Sequence, residues 1–153
     1  MPTFITLFTL AYLLLGITPH VHAQEQNPEE LKNHQDFDTY SVHYSFFDST
    51  FVPPDIAAIH NIKRSKYENL VNISISKKGE YGALPANVTG TSRNLMQQVK
   101  PLEFIEIKEE TATYYLAPIR LNGKEILHFS LQVIPDGETT PLDVTFTKTL
   151  YSE

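Results

Sequence analysis

A short basic cluster near the middle of the chain is the strongest candidate for binding chemistry. It consists of Lys63, Arg64 and Lys66, and the stretch from Pro53 to Lys78 carries five basic residues against two acidic ones. A guanidinium can make a two-pronged contact with a carboxylate or phosphate, and a neighbouring ammonium adds charge. The basic cluster is therefore predicted to bind an anion or an acidic partner.

Three tyrosines, Tyr40, Tyr44 and Tyr67, could flank the basic cluster, and Tyr44 and Tyr67 are the two candidates assigned to the site. Suitable anions are cell-wall peptides, lipid headgroups and the acidic loops of partner proteins. A simpler interpretation also stays open, because cations that follow a helix C-terminus are stabilised by the helix dipole.

The histidines are the next candidates, since imidazole is a common base and the commonest metal ligand. His34, His43, His60 and His128 follow the first 23 residues, and none forms an H-x-H or H-x-x-x-H pair. No metal site and no cofactor are predicted. Because His43 and His128 fall on the polar faces of predicted strands, a small hydrolase with a His-based site assembled in the fold remains an alternative.

Nucleophilic catalysis has little support in this sequence. The chain has no Cys and no G-x-S-x-G motif, and Ser65 lies between two cations without a base nearby in sequence. The acidic pair Glu109 and Glu110 would point to opposite faces of a strand, so it does not have glycosidase geometry. No catalytic residue is predicted, and a non-enzymatic role is favoured.

The elements that must position these residues are mostly strands. Alternating apolar and polar residues predict strands with one buried face, and turn residues separate them at intervals of about 8–14 residues. Ile56, Ile59 and Ile62 recur at helical spacing after two prolines, so one short helix with these residues on its buried face is predicted. It should end at Asn61, which tolerates the left-handed conformation. Leu95–Pro101 is predicted to be a polar connection. The predicted strands are Tyr40–Phe46, Leu70–Lys77, Leu84–Thr91, Leu102–Lys108, Ala112–Pro118, Glu125–Ile134 and Leu142–Tyr151.

This pattern predicts an all-β protein. The number of strands, about seven, favours an antiparallel β-sandwich of immunoglobulin-like architecture with one short helix. Asn122-Gly123 predicts a tight hairpin, since both residues accept positive φ. Pro85 marks its strand as an edge.

The amino-terminal residues differ in character from the rest. Phe4–Ile17 is almost wholly apolar, and no charged side chain occurs before Glu25. Residues 1–23 are therefore predicted to be a signal peptide, 24–38 a flexible lead-in and 39–153 a single domain. An uncleaved anchor is the alternative; after cleavage no stable membrane span is predicted.

Composition narrows the partners and the compartment. The net charge of −6 argues against nucleic acid as a partner, because neutralising phosphates needs a basic face. Since the chain has no Cys, an exported form must rely on its core without disulfides.

Seven short motifs are spread over three stretches of the chain, Tyr40–Lys78, Gly90–Pro118 and Pro135–Tyr151. The motifs are His43-Tyr44, Arg64-Ser65-Lys66, Asn72-Ile73-Ser74, Asn94-Leu95-Met96, Pro101-Leu102-Glu103-Phe104, Tyr114-Tyr115-Leu116 and Pro135-Asp136-Gly137. In these stretches the chain resembles the family called domain of unknown function 4426. The resemblance implies a small exported β-rich protein of Gram-negative bacteria, and it brings no established activity or site residues.

Taken together, these features predict a periplasmic binding or accessory module. Its partner would be an envelope protein or an anionic cell-wall component. An alternative is a chaperone-like or structural envelope protein that uses an exposed strand edge, for which Leu84–Thr91 is the candidate.

Overall fold

The computed structural model describes residues 32–152. The predicted signal peptide lies outside the described residues, as does most of the predicted lead-in. The elements are β1 (His34–Asp36), β2 (Tyr40–Asp48), α1 (Pro54–Ile59), β3 (Glu68–Lys77), β4 (Ala86–Asn94), β5 (Val99–Pro101), β6 (Ile105–Lys108), β7 (Thr113–Arg120), β8 (Lys124–Pro135) and β9 (Leu142–Tyr151). A single 3-10 turn, Ser49–Phe51, follows β2.

The strands form two antiparallel sheets. One has five strands in the order β1-β2-β3-β7-β6, and the other has four in the order β5-β4-β8-β9. The predicted all-β sandwich with one short helix is confirmed. The seven predicted strands correspond to β2, β3, β4 and β6 to β9.

The two additional strands are short and lie at sheet edges. β1 falls within the stretch predicted as a flexible lead-in, but His34–Asp36 pairs with Ser41–His43 of β2. β5 falls in Leu95–Pro101, predicted as a polar connection, where Val99–Pro101 pairs with β4. Three-residue strands leave almost no alternation pattern, which is why the sequence did not indicate them.

An aromatic group joins the two sheets. Tyr44 of β2 stacks on Phe146 of β9 with ring centroids 3.9 Å apart, and Phe46 lies 5.3 Å from Phe129 of β8. Phe129 and Phe146 are themselves stacked at 4.9 Å. Aromatic pairs contribute beyond their buried area, so this group is the centre of a core that needs no disulfide.

Helix α1 buries a different face from the one predicted. Ala57 is buried, with Ile62 beyond the helix end, whereas Ile56 and Ile59 are exposed. The helix has only six residues, so it can cover one spot on the outer face of the five-stranded sheet, over Leu70. The helical period alone predicted that the isoleucines are buried. The small side chain of Ala57 instead allows the helix to approach the sheet more closely.

Two turns refine the sequence prediction. Asn61 takes positive φ (55°) after the helix, as expected for a residue that tolerates the left-handed region. In the β7–β8 hairpin only Gly123 has positive φ (78°). Asn122 does not, so the predicted two-residue turn with both residues left-handed is replaced by a longer connection.

The predicted edge strand is only partly an edge. Ala86–Asn94 pairs with β8 along its whole length, and Thr91–Arg93 also pairs with β5. The first half of the candidate edge strand, Leu84–Thr91, therefore pairs with a neighbouring strand on one side only. Val88 within it is buried in the core. A substitution at Val88 would therefore disturb folding, and only the first half of this strand lacks a second partner strand.

Candidate functional site

The basic cluster lies in the loop between α1 and β3, and a buried serine braces that loop. Ser49 Oγ donates to the Ser65 carbonyl at 3.1 Å and accepts from the Ser65 N–H at 2.9 Å. Arg64 Nη2 donates to the Thr50 carbonyl at 2.8 Å, and its side chain remains exposed. The loop therefore holds its cations on the surface.

Only one of the two candidate tyrosines joins the basic cluster. Tyr67 is exposed, and Lys66 Nζ lies 5.1 Å from the centre of its ring, within the range of a cation–π contact. Tyr44 is buried between the sheets, stacked on Phe146, because its position in β2 points inward. The structure does not bring Tyr44 to the site.

The basic residues of the stretch from Pro53 to Lys78 are divided between the two ends of the sandwich. Lys77 ends β3 and Lys78 follows it, whereas the basic cluster precedes Glu68, where β3 begins. A ten-residue strand spans about 30 Å, so Lys77 and Lys78 lie at the opposite end of the sandwich.

Exposed apolar side chains gather at the same end as the basic cluster. This end, which we call the apolar-basic end, is where β2, β4, β7 and β9 finish and β3, β5 and β8 begin. Of the nine large hydrophobic residues exposed in residues 32–152, eight lie at this end or, for Ile56 and Ile59 of α1, on the sheet face beside it, and Tyr81 lies at the other end. The eight are Phe51, Ile56, Ile59, Tyr67, Leu95, Met96, Val99 and Tyr151.

Charge is distributed between the two ends in the same way. Basic residues outnumber acidic ones at or beside the apolar-basic end, and the reverse holds at the opposite, acidic end. The apolar-basic end has Lys63, Arg64, Lys66, Arg93, Lys100, Arg120 and Lys124 against Asp48, Asp55, Glu68 and Glu125. The acidic end has Asp36, Asp38, Glu80, Glu109, Glu110, Asp136 and Glu138 against Lys77, Lys78 and Lys108.

A cleft of about 200 Å³ opens beside the apolar-basic end, between the two sheets. Its apolar lining includes Leu102, Ile119 and Leu127, and Lys100 and Arg120 also line it. These two cations are among the seven of the apolar-basic end, and Glu125 lines the cleft with them.

A second polar group lies on the outer face of the five-stranded sheet, at the β1 edge. His34 and His43 oppose each other across β1 and β2, with ring centroids 5.7 Å apart. His34 Nε2 is 3.9 Å from Asp36 Oδ2, and His43 Nε2 is 3.1 Å from Ser76 Oγ. The sequence predicted no meeting of His34 with His43, because β1 was not foreseen.

Two pKa values in this group are shifted. Partial burial, with a further contribution from the charge on His34, lowers the pKa of His43. The hydrogen bond that Ser41 Oγ donates to Asp36 at 2.7 Å lowers the pKa of that carboxyl. Both shifts favour neutral His43 beside ionised Asp36 at neutral pH.

The other histidines do not converge on this group. His60 caps the end of α1, and His128 Nδ1 lies 2.8 Å from Thr147 Oγ1 on the other sheet. Residues 32–152 contain no group of three or more His, Cys, Asp or Glu side chains placed to hold a metal ion. His43 thus contacts Ser76, and His34 and Asp36 lie beside it at the same edge of the sheet.

Sequence reasoning missed the apolar part of the candidate surface. Ile56 and Ile59 were assigned to a buried helix face, and Leu95 and Met96 to a polar connection. A pair of large apolar residues in a turn, such as Leu95-Met96, is the signal that could have identified the surface. No helix among the described residues is both long and apolar enough to cross a membrane.

Comparison with known proteins gives a family and a fold. Residues 34–153 match the family described as Domain of unknown function (DUF4426). The structure is similar to a crystal structure of a DUF4426 family protein from Pseudomonas aeruginosa PAO1, with 33% identity, a TM-score of 0.71 and coverage of 78% of this chain and 94% of that one. No curated protein matches the chain.

Two more distant structures share the fold alone. Both are FetP from uropathogenic Escherichia coli strain F11, one produced in the periplasm and one a copper-bound variant. They are 13% and 12% identical to this chain, with TM-scores of 0.59; each comparison covers 78% of this chain, and 93% and 95% of theirs. The family match over most of the chain, with the similar Pseudomonas structure, shows that this protein belongs to the DUF4426 family.

Proposed function

We propose that this protein is a periplasmic binding or accessory module that holds an anionic component of the cell envelope at its apolar-basic end. One observation carries the proposal: exposed apolar side chains and an excess of basic residues occupy the same end of the sandwich. A surface of this composition favours partners that combine negative charge with apolar material.

The geometry of the loop supports the same role. Arg64 uses one nitrogen on the Thr50 carbonyl, which holds the guanidinium in place while the side chain stays exposed. Lys66, beside the ring of Tyr67, adds a second cation next to it. A braced loop loses less conformational entropy when it binds than a flexible one does.

The periplasmic location rests on the amino-terminal sequence. Residues 1–23 have the composition of a signal peptide. FetP, which shares the fold, was produced in the periplasm of Escherichia coli, which is compatible with this location.

The test is binding of the purified protein to isolated envelope fractions at low and high salt. The double variant Arg64→Glu and Lys66→Glu is expected to reduce the bound fraction at least about fivefold, since each basic residue at an anionic surface contributes about 1 kcal/mol. Its stability should change little, because both side chains are exposed.

The matched control reverses the same number of charges at the acidic end, through Lys77→Glu and Lys78→Glu. This variant has the same net charge as the first, so a loss of binding confined to the Arg64 and Lys66 variant would assign the site. Equal binding by both variants and the parent protein would overturn the proposal.

A further inference from the structure

We infer that the partner at the apolar-basic end is the surface of an anionic lipid bilayer, on which the sandwich stands with its acidic end facing away. This inference rests on the proposed function and names the partner for the same surface. The chain would lie on the membrane without crossing it.

The first observation is that the apolar side chains come from separate loops. Phe51 and Ile59, in the β2–β3 connection, are 74% and 69% exposed. Met96, in the β4–β5 hairpin, is 76% exposed, and Leu95 beside it is also exposed. Side chains on separate loops can each insert into a bilayer, which needs no complementary shape, whereas a protein partner would need to match all of them at once.

The second observation is the pairing of cations with tyrosine rings. Lys66 Nζ lies 5.1 Å from the ring centre of Tyr67, and Lys124 Nζ lies 5.6 Å from that of Tyr151. Tyrosine is favoured at the boundary between headgroups and acyl chains, and lysine stems cross apolar surface to reach phosphates. The first pair lies in the loop before β3 and the second joins β8 to β9, so the two pairs provide headgroup contacts beside both sheets.

The third observation is the separation of charge along the molecule. The basic residues at one end are attracted by anionic headgroups, and the carboxylates at the other end, including Glu109, Glu110 and Asp136, are repelled. Attraction and repulsion act in the same sense, so they favour one orientation at the surface.

The experiment is co-sedimentation of the protein, beginning at Gln24, with vesicles of phosphatidylcholine alone or with added phosphatidylglycerol. Binding is expected only where phosphatidylglycerol is present, and it should weaken at least about tenfold when salt is raised to about 0.5 M, where charges are screened within a few ångströms. Substituting Phe51→Ser together with Met96→Ser should reduce binding at least about tenfold, since each removes the burial of a large apolar side chain.

Tyr81→Ser is the matched control, because Tyr81 is fully exposed at the acidic end. It should bind vesicles like the parent protein, and circular dichroism melting of each variant checks that all are folded. Equal loss by the control and by the Phe51 and Met96 variant would overturn the inference.

The two proposals fail in different ways. If envelope fractions retain the protein through Arg64 and Lys66 but vesicles with phosphatidylglycerol do not, the partner is an acidic envelope protein or polymer and the bilayer inference is wrong. If neither is bound, both proposals are wrong. Equal binding to vesicles with and without phosphatidylglycerol would also reject the anionic surface.

Discussion

Gly90 shows how one residue can determine the packing of the four-stranded sheet. A Cβ added there would overlap the Leu131 side chain and lie 2.8 Å from the Ser130 carbonyl oxygen. The neighbouring backbone belongs to β8, the central strand that pairs with both β4 and β9, so it has little freedom to move. The glycine is needed here for space, since its φ is not positive.

Substituting Gly90→Ala is expected to lower the free energy of unfolding by about 1–3 kcal/mol, the usual range for overpacking. Urea denaturation measures this change. Thr89→Ala, at the exposed neighbouring position, is the control and should change stability by less than about 0.5 kcal/mol. Equal stability of the Gly90 variant and the parent protein would mean that the two strands separate easily at this point.

His43 makes stability depend on pH, with a sign that follows from its lowered pKa. The unfolded chain, in which His43 has its ordinary pKa of about 6.5, takes up the proton more readily than the folded one. The stabilisation is therefore complete above about pH 6.5 and is lost as the pH falls through the folded pKa.

Chemical denaturation at intervals from about pH 7.5 to pH 5 checks this expectation. The unfolding free energy of the parent should decline across this range, and His43→Gln should decline less. Asp36 acts at lower pH: its stabilisation is present above 3.8 and lost as the pH falls through its lowered pKa. An identical pH profile for His43→Gln and the parent would assign the decline to other groups.

At the scale of elements, helix α1 belongs to a small second core outside the sandwich. Val52, Ala57 and Ile62 pack on Leu70 and its neighbours on the outer face of the five-stranded sheet. The sequence indicated the existence of the helix and its end at Asn61, because both depend on local signals. It did not indicate which face is buried, because six residues make too few turns for the period to select one.

The contrast between Leu70→Ala and Ile59→Ala measures this arrangement. Leu70 is fully buried, so its truncation should cost about 2–5 kcal/mol. Ile59 is mostly exposed, and its truncation should cost less than about 0.5 kcal/mol. Thermal unfolding compares the stability of the two variants. A large loss of stability in the Ile59 variant would mean that Ile59 is buried, as predicted from the sequence, and does not belong to the exposed surface.

At the scale of the molecule, alternation along β2, β3, β8 and β9 was sufficient to predict two layers of strands. The unequal distribution of charge and exposed apolar residues between the two ends could not be predicted from the sequence, because it depends on which strand ends lie side by side. The basic cluster was visible in the sequence, but its apolar neighbours Leu95 and Met96 come from another hairpin, about thirty residues further along the chain. Only the pairing of strands places both at one end.

The shared aromatic group predicts that the two sheets unfold together. Phe129→Ala, at a fully buried position that contacts Phe46 and Phe146, should lower the unfolding free energy by about 3–5 kcal/mol. Near-ultraviolet and far-ultraviolet circular dichroism should then show coincident transitions in the variant and in the parent protein. Separate transitions would mean that each sheet holds its structure independently.

The side chain of Gln35 in β1 reaches the opposite sheet. Its Nε2 donates to the Asp143 carbonyl at 3.2 Å, and its Oε1 accepts from the Thr145 N–H at 3.4 Å. These bonds occupy main-chain groups of β9, a ten-residue strand that would otherwise offer a ready template for pairing with another molecule. We therefore expect the short first strand to hinder self-association through β9. A chain trimmed to begin at Tyr40 should sediment as a larger species than the longer chain.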